Sequence, residues 1–324
     1  MERSGWDVHT HLLPAGLADI AASGRYGMSV DGGNVCVHDA RLSLATIGNP
    51  EALLSRLDRD GLEGAIVAIP PPLFRADLSV DLRSYYVEAM NSGLLETVAA
   101  YPRLRPLAYL PTEQPELAAE VARKLDHRWA GVTVGTVLGG YSYADPAFHP
   151  LWQTLSDAGL PVLLHPSESP DPRMAPFYFS NLLGNPFETT LAAAQLIFGD
   201  IPARFPALKV ILAHGGGASA ALIGRWQRGT DTARPGIGPL GLSPTGALRW
   251  FYADTIVHHP VVLGFLVALF GEDHLLLGSD WPFPMGAPSA EYDVAGLVPA
   301  LREKVRGTNA EAVFGRRLAA QDEG

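Results

Sequence analysis

Short apolar runs recur eight times along this chain, and amphipathic helical patterns separate them. The runs cover 6–11, 65–69, 104–110, 131–134, 161–166, 209–214, 249–253 and 275–280. Helical patterns fall at about 82–100, 116–127, 151–158, 188–205 and 261–270. Another opens at Asn49-Pro50, an N-cap followed by proline at the first helical position. Continuous β-rich runs alternating with helices, with no return to antiparallel hairpins, specify a parallel sheet buried on both faces. Eight such units in 324 residues predict an α/β fold, a (β/α)8 TIM-type barrel forming one domain over 1–324. An open doubly wound sheet is the alternative topology for the same alternation. Two segments break the rhythm. An insertion at about 12–48 is polar and glycine-rich with no clear helix, and 228–248 is a loop holding Pro235, Gly236, Gly238, Pro239, Gly241 and Pro244. Long irregular connections of this kind serve as lids or interface elements more often than as domain boundaries.

Composition narrows the function classes. Hydrophobic residues make up 47% and charged residues 18%, a globular profile. A net charge of -10 argues against nucleic acid or an acidic membrane surface as partner. An anionic small molecule stays possible, because a few arginines set the potential inside a pocket. The single cysteine, Cys36, excludes an intramolecular disulfide and a cysteine-rich metal cluster, and points to a cytoplasmic protein. The first residues do not read as a signal peptide, and no uncharged apolar run reaches the roughly 18 residues that span a membrane.

Trp6-Asp7-Val8-His9-Thr10-His11 carries two imidazoles two positions apart. In an extended strand such residues share a face, so His9 and His11 aim at one spot while Val8 and Thr10 point away. Two converging imidazoles make half of a zinc-type site, although an isolated pair reads equally as a strand with two surface histidines. Three further polar residues end the fifth, sixth and eighth runs: His165, His214 and Asp280. In a barrel that end of the strands holds the active site, so all five groups occupy one topological position. His9, His11, His165 and Asp280 form a four-group coordination set that a bound water would complete. His214 is then left to orient that water or take its proton as a general base. Gly215-Gly216-Gly217 after it let backbone and substrate approach closely. A second metal would need a bridging carboxylate or modified lysine after the fourth run, where Gly131-Val132-Thr133-Val134-Gly135-Thr136 has none, so one metal is expected. The remaining histidines lack this placement: His258 and His259 follow the seventh run and could line the pocket mouth, but read more readily as solvent-facing loop residues, and His274 begins the eighth run at the wrong end. Glu188 reads as a residue satisfying free amides at a helix N-terminus.

Taken in order, these motifs resemble the amidohydrolase superfamily, and within it the aminocarboxymuconate-semialdehyde decarboxylase-like branch. The carriers are Asp7-Val8-His9-Thr10-His11 with Leu12-Leu13-Pro14, then Val162-Leu163-Leu164-His165-Pro166 and Asn185-Pro186-Phe187-Glu188-Thr189. Ala213-His214-Gly215-Gly216-Gly217 and Leu277-Gly278-Ser279-Asp280-Trp281-Pro282-Phe283-Pro284 complete the set. The resemblance implies a barrel, one zinc on His9, His11, His165 and Asp280, and His214 as catalytic base with Asp280 beside it. It also implies a homodimer and non-oxidative decarboxylation without an organic cofactor. Manganese is the other ion this ligand set tolerates. Similar proteins that decarboxylate hydroxybenzoates often carry Glu-x-His in the first strand, so His-x-His here leans toward the aminocarboxymuconate type. Arg41 stands where such proteins place an arginine for a substrate carboxylate, and reads equally as a solvated loop residue. Phe177 and Phe283 fall where the branch puts aromatic groups around the substrate, and core packing accounts for Phe177 as well. Arg225, Arg228 and Arg234 follow the sixth run, from which arginines in this branch reach a neighbouring subunit's pocket.

The expected activity is metal-dependent decarboxylation of a small unsaturated or aromatic carboxylic acid. Zinc would hold the carboxylate or an adjacent oxygen, and Arg41 would offset remaining charge. His214, with the metal-bound water, would deliver a proton to carbon or add hydroxide to the conjugated system. The alternative is hydrolysis of a lactone, ester or amide, or hydration of a conjugated acid, by the same metal hydroxide.

Overall fold

The computed structural model describes residues 3–167 and 169–319. Strand β1 (Trp6–His11) leads into an excursion made of a short helix, α1 (Leu17–Ala22), and three strands, β2 (Met28–Asp31), β3 (Asn34–Val37) and β4 (Ala40–Ser43). Those three form their own antiparallel sheet. The main sheet resumes with β5 (Gly64–Ala68), β6 (Leu104–Leu110), β7 (Gly131–Val134), β8 (Val162–Leu164), β9 (Val210–Leu212), β10 (Phe251–Asp254) and β11 (Leu275–Leu276). Its eight strands pair in parallel in the order β1-β5-β6-β7-β8-β9-β10-β11. The chain after β11 then returns to β1. The Val8 amide donates to the Leu277 carbonyl at 2.8 Å, Asp280 to His9 at 2.8 Å and His11 to Trp281 at 2.9 Å. These bonds close the ring, so the architecture is a (β/α)8 barrel and not an open sheet.

Helices α2 (Pro50–Arg59), α3 (Val80–Val98), α4 (Pro115–Arg123), α5 (His149–Ala158), α6 (Asn185–Phe198), α7 (Ile201–Arg204), α8 (Ser219–Asp231), α9 (Pro244–Leu248) and α10 (Pro260–Phe270) fill the connections between barrel strands. Helices α11 (Pro299–Glu303) and α12 (Asn309–Phe314) follow the last strand. Asn49 caps α2 as its position before Pro50 predicts, its side chain accepting from the Ala52 amide at 3.3 Å. Two apolar layers result. One lies between strands and helices, where Leu53, Met90, Trp152 and Leu196 share a cluster with Val67, Val132 and Val162. The other fills the barrel itself with Val8, Ile66, Leu107, Leu163, Ile211 and Leu276, and α12 stops its lower end with Ala310, Val313 and Phe314. With that end sealed, the open mouth lies at the C-terminal ends of the strands, where such barrels carry their chemistry. Among the described residues no helix is long and apolar enough to cross a membrane.

Four expectations need correction. The insertion is not devoid of regular structure: it holds α1 and an antiparallel meander. Its signals are short, because four-residue strands show barely one apolar alternation. The turn at Gly32-Gly33, with φ of 53° and 78°, is nonetheless the glycine pair that tight hairpins favour. The loop expected at 228–248 contains the last turn of α8 and all of α9, which Ser243 caps by accepting from the Gly246 amide at 3.2 Å. The eighth strand is shorter than expected: beyond Leu276 the backbone leaves β10 and pairs with β1. Val8 also departs from its expected outward direction. It joins the barrel interior, and the pairing of β1 with β5 shifts register between Asp7 and Thr10, the kind of irregularity that re-aims side chains.

Candidate metal centre and cavity

Five polar side chains meet at the open end of the barrel, carried by β1 and the chain just beyond β8, β9 and β11. Hydrogen bonding fixes how three of them face. Nδ1 of His11 lies 3.2 Å from the Ile69 carbonyl and Nδ1 of His165 lies 2.8 Å from the Pro166 carbonyl. A carbonyl oxygen only accepts, so both Nδ1 atoms carry the hydrogen. His9 uses its Nδ1 in the same way, donating to Asp254 Oδ2 at 2.7 Å. In the neutral rings every Nε2 is therefore a bare lone pair.

Those three lone pairs point at each other. Ligand atoms of His9, His11, His165 and Asp280 all lie within 4.8 Å of one another, and all four residues are buried. Nε2 of His11 sits 3.1 Å, and that of His9 3.5 Å, from Asp280 Oδ1. None of the three Nε2 atoms, nor Asp280 Oδ1, finds a hydrogen-bond partner among the described residues. Four buried acceptors with no donor between them repel one another unless a cation sits at their centre. Three imidazoles and one carboxylate are a donor set suited to a divalent transition metal. Hydrogen-bonded Nδ1 groups behind them are the usual outer support of such a site.

Electrostatics reinforce the arrangement. Burial, aided by the neighbouring imidazoles, pushes His165 well below the ordinary histidine value, which keeps it neutral. Burial opposes charge on Asp280, yet the imidazoles of His11, His214 and His9 crowded around it hold its carboxyl well below the usual range. Asp254 is likewise kept ionised against its burial, by the bond from His9 and by nearby backbone amides.

His214 stands apart from the four. Its φ of 54° turns the chain sharply after β9, and its amide donates to Asp254 Oδ2 at 2.9 Å. Gly215 and Ile256 add amide bonds to Asp254 Oδ1 at 2.8 and 3.1 Å. Nε2 of His214 lies 3.6 Å from Asp280 Oδ2, while its Nδ1 has no hydrogen-bond partner among the described residues. Above the cluster opens a cavity of about 520 Å³ whose wall includes His165, His214, Asp280, Phe74, Phe283 and Asn185. A ligand there meets the candidate metal centre from one side and His214 from another.

Residues 6–316 match the family described as Amidohydrolase. This chain belongs to that family. Among its amidohydrolase relatives, the 2-amino-3-carboxymuconate-6-semialdehyde decarboxylase of Dictyostelium discoideum is 29% identical over 331 residues, covering 96% of this chain and 90% of the relative. A 6-methylsalicylic acid decarboxylase of Penicillium expansum is 31% identical over 270 residues, covering 72% of this chain and 82% of the relative. A solved 5-carboxyvanillate decarboxylase from Sphingomonas paucimobilis shares the fold with a TM-score of 0.82 at 21% identity, covering 97% of this chain and 99% of that one.

Within this amidohydrolase barrel the residues singled out from sequence divide sharply. His9, His11, His165, Asp280 and His214 converge, and Phe283 joins them, its ring 5.3 Å from that of His11. Arg41 does not. It lies on β4 with Nη2 2.7 Å from Asp31 Oδ2, exposed and away from the cavity wall. Phe177 is 79% exposed with its ring 5.4 Å from that of Phe179, and the neighbouring Tyr178 lines the cavity in its place. Arg225, Arg228 and Arg234 are exposed on and just after α8. Glu188 is buried, and instead of serving helix amides it accepts the Ser169 hydroxyl at 2.9 Å. His258 does not line the cavity, although its amide donates to buried Asp293 at 3.0 Å.

Sequence reading missed Asp254. Its signal was present, a carboxylate at the mouth end of the seventh strand, but the apolar run reads as ending at Ala253 and a lone aspartate after it resembles a turn. Three wall residues were missed as well: His38 in the β3–β4 turn, and Arg75 and Asp77 after β5. Nothing local marks them, because tertiary folding brings these two loops together.

Proposed function

We propose that this chain is a metal-dependent, non-oxidative decarboxylase of a small unsaturated or aromatic carboxylic acid. The observation that carries the reading is the meeting of three unpartnered Nε2 atoms and one carboxylate oxygen at the floor of a cavity, with a fifth group, His214, beside them. The decarboxylase relatives support it. A divalent ion on His9, His11, His165 and Asp280 supplies a Lewis-acid centre for the substrate carboxylate or an adjacent oxygen. Zinc is the first choice for three imidazoles and a carboxylate, with manganese as the other.

In this reading Phe74 and Phe283 flank an unsaturated substrate, and His214 handles the proton. The bond between the carboxylate carbon and its neighbour breaks, CO2 departs, and the electron pair left on carbon takes a proton from His214. No electrons are gained or lost, so no organic redox cofactor is required. Asp280 has a second role: its Oδ2 faces His214 Nε2 and keeps the ring turned toward the cavity.

We assign the working form as a homodimer. Phe187 and Leu191 of α6 and Leu183 before it are exposed beside Leu222 and Trp226 of α8, and together they line an apolar groove of about 500 Å³. A contiguous apolar face of this kind marks a contact surface. The single cysteine suits a reducing cytoplasm.

The decisive experiment incubates the metal-loaded enzyme with a panel of hydroxybenzoates and conjugated acids and measures released CO2 beside product mass. Decarboxylation yields CO2 and a product lighter by that amount. A product that gains water with no CO2 released would reassign the enzyme as a hydrolase or hydratase.

A further inference from the structure

We propose that Asp7 is a positioning residue for the candidate metal centre: its carboxylate pins the bulge in β1 that turns both His9 and His11 into the barrel. The inference rests on the metal site of the proposed function and adds a residue to it.

Side chains of a regular strand alternate between its two faces. Trp6 and Val8 pack in the barrel interior, so unbroken alternation would send His9 and His11 outward, toward the helices. They face inward because β1 gains one residue. Asp7 pairs with Ala65 and Thr10 with Val67, so Val8 and His9 together oppose Ile66. The amides record the same offset. Val8 and His11, three positions apart, both donate to the chain following β11, at Leu277 and Trp281. A regular strand sends amides three apart to opposite sides. The bulge is therefore what lets an apolar plug and two imidazoles share one face of β1.

A bulge leaves its extra residue outside regular pairing, and that residue's amide needs an acceptor. The His9 amide donates to Asp7 Oδ1 at 3.3 Å. The same oxygen accepts the Ser279 amide at 3.0 Å, one residue before Asp280. One buried atom thus joins the bulge ahead of His9 and His11 to the backbone that carries Asp280. Asp7 is not part of the cavity wall, so it acts on the site only through these backbones. Both bonds require an oxygen acceptor at that position, and neither requires its charge.

The test measures ion affinity by competition against a chromophoric chelator, together with the visible bands of cobalt(II)-loaded protein, which report ligand geometry. Asp7→Asn keeps an acceptor in place and should bind the ion within about threefold of the unmodified protein. Asp7→Ala removes the acceptor and Asp7→Glu moves it by one methylene. Each should lose about 10- to 100-fold in affinity and show altered cobalt bands. Leu155→Ala, a core truncation in α5, should lower Tm while leaving affinity and bands unchanged. If Asp7→Ala does not fold, Asp7→Asn and Asp7→Glu read the same contrast. Unchanged affinity and bands in folded Asp7→Ala or Asp7→Glu overturn the proposal, as do equal losses in Asp7→Asn and Asp7→Glu. Unmodified protein that takes up no ion overturns the metal-centre reading itself.

Discussion

Asp254 and His9 share a 2.7 Å hydrogen bond between two fully buried side chains. The same carboxylate receives the amides of His214, Gly215 and Ile256, so one group sets both a proposed metal ligand and the backbone of the proposed acid.

Asp254→Asn should therefore weaken metal binding. The ring of His9 loses its anionic partner, and outer-shell losses of this type reduce affinity about 10- to 100-fold. Competition against a chromophoric chelator measures the change, and full retention of affinity would refute the role given to Asp254.

His214→Ala should separate metal binding from turnover. The four proposed ligands are untouched, so metal content by elemental analysis should remain one ion per chain. CO2 release should fall about 10²- to 10⁴-fold, the usual contribution of a positioned acid or base. Loss of the ion in this variant would make His214 a ligand.

Chelation should destabilise the barrel itself. Without a cation, the three Nε2 lone pairs and Asp280 Oδ1 are left facing each other in a buried space. Free ion at one hundred times its dissociation constant stabilises the native state by about 2.7 kcal/mol. Calorimetric scans with and without chelator should show a lower Tm for the stripped protein, with recovery when the ion is restored.

Gly217→Ala should disturb the turn that carries His214. Gly217 has φ of +60°, and a Cβ there would sit 2.3 Å from the Pro186 carbonyl oxygen and 2.7 Å from Thr190 Oγ1. Both contacts belong to the first turns of α6, where Thr190 also receives the Ala218 amide at 2.8 Å. Backbone strain of this kind costs about 1–3 kcal/mol. Denaturant unfolding should register that loss, and an unchanged midpoint would show that the turn relaxes freely.

Acid should erase the contribution of Asp77. Hydrogen bonds from Arg75, working against partial burial, hold its carboxyl below the ordinary value. A carboxyl depressed in the folded state adds stability that is complete above its unfolded value, about pH 4, and is lost as pH falls through its folded one. The difference in Tm between the unmodified protein and Asp77→Asn should be widest near neutrality and close on acidification. A difference that is flat down to pH 3 would contradict the assignment.

The barrel was legible because each strand carries its own signal. β6 and β7 are mainly apolar runs, and their observed limits match the expected ones. The four proposed metal ligands converge for a related reason: each stands at or just beyond the end of a strand, so sequence order alone places them at one rim. Arg41 shows the limit. Its position in a hairpin depends on which face of β4 turns outward, and a four-residue strand pairing with β3 leaves that undetermined until the register with Cys36 is known. Arg75, Asp77 and His38 were hidden because their meeting depends on two loops separated by more than thirty residues.

The β3–β4 turn roofs the cavity yet supplies no proposed metal ligand, and it is held to the barrel through His38 and Asp77. Reaction and admission are therefore encoded on separate parts of the chain. Transplanting a relative's residues 12–48 into this scaffold would exchange what is let in while leaving the bond-breaking apparatus in place, which makes the excursion a natural handle for redesign.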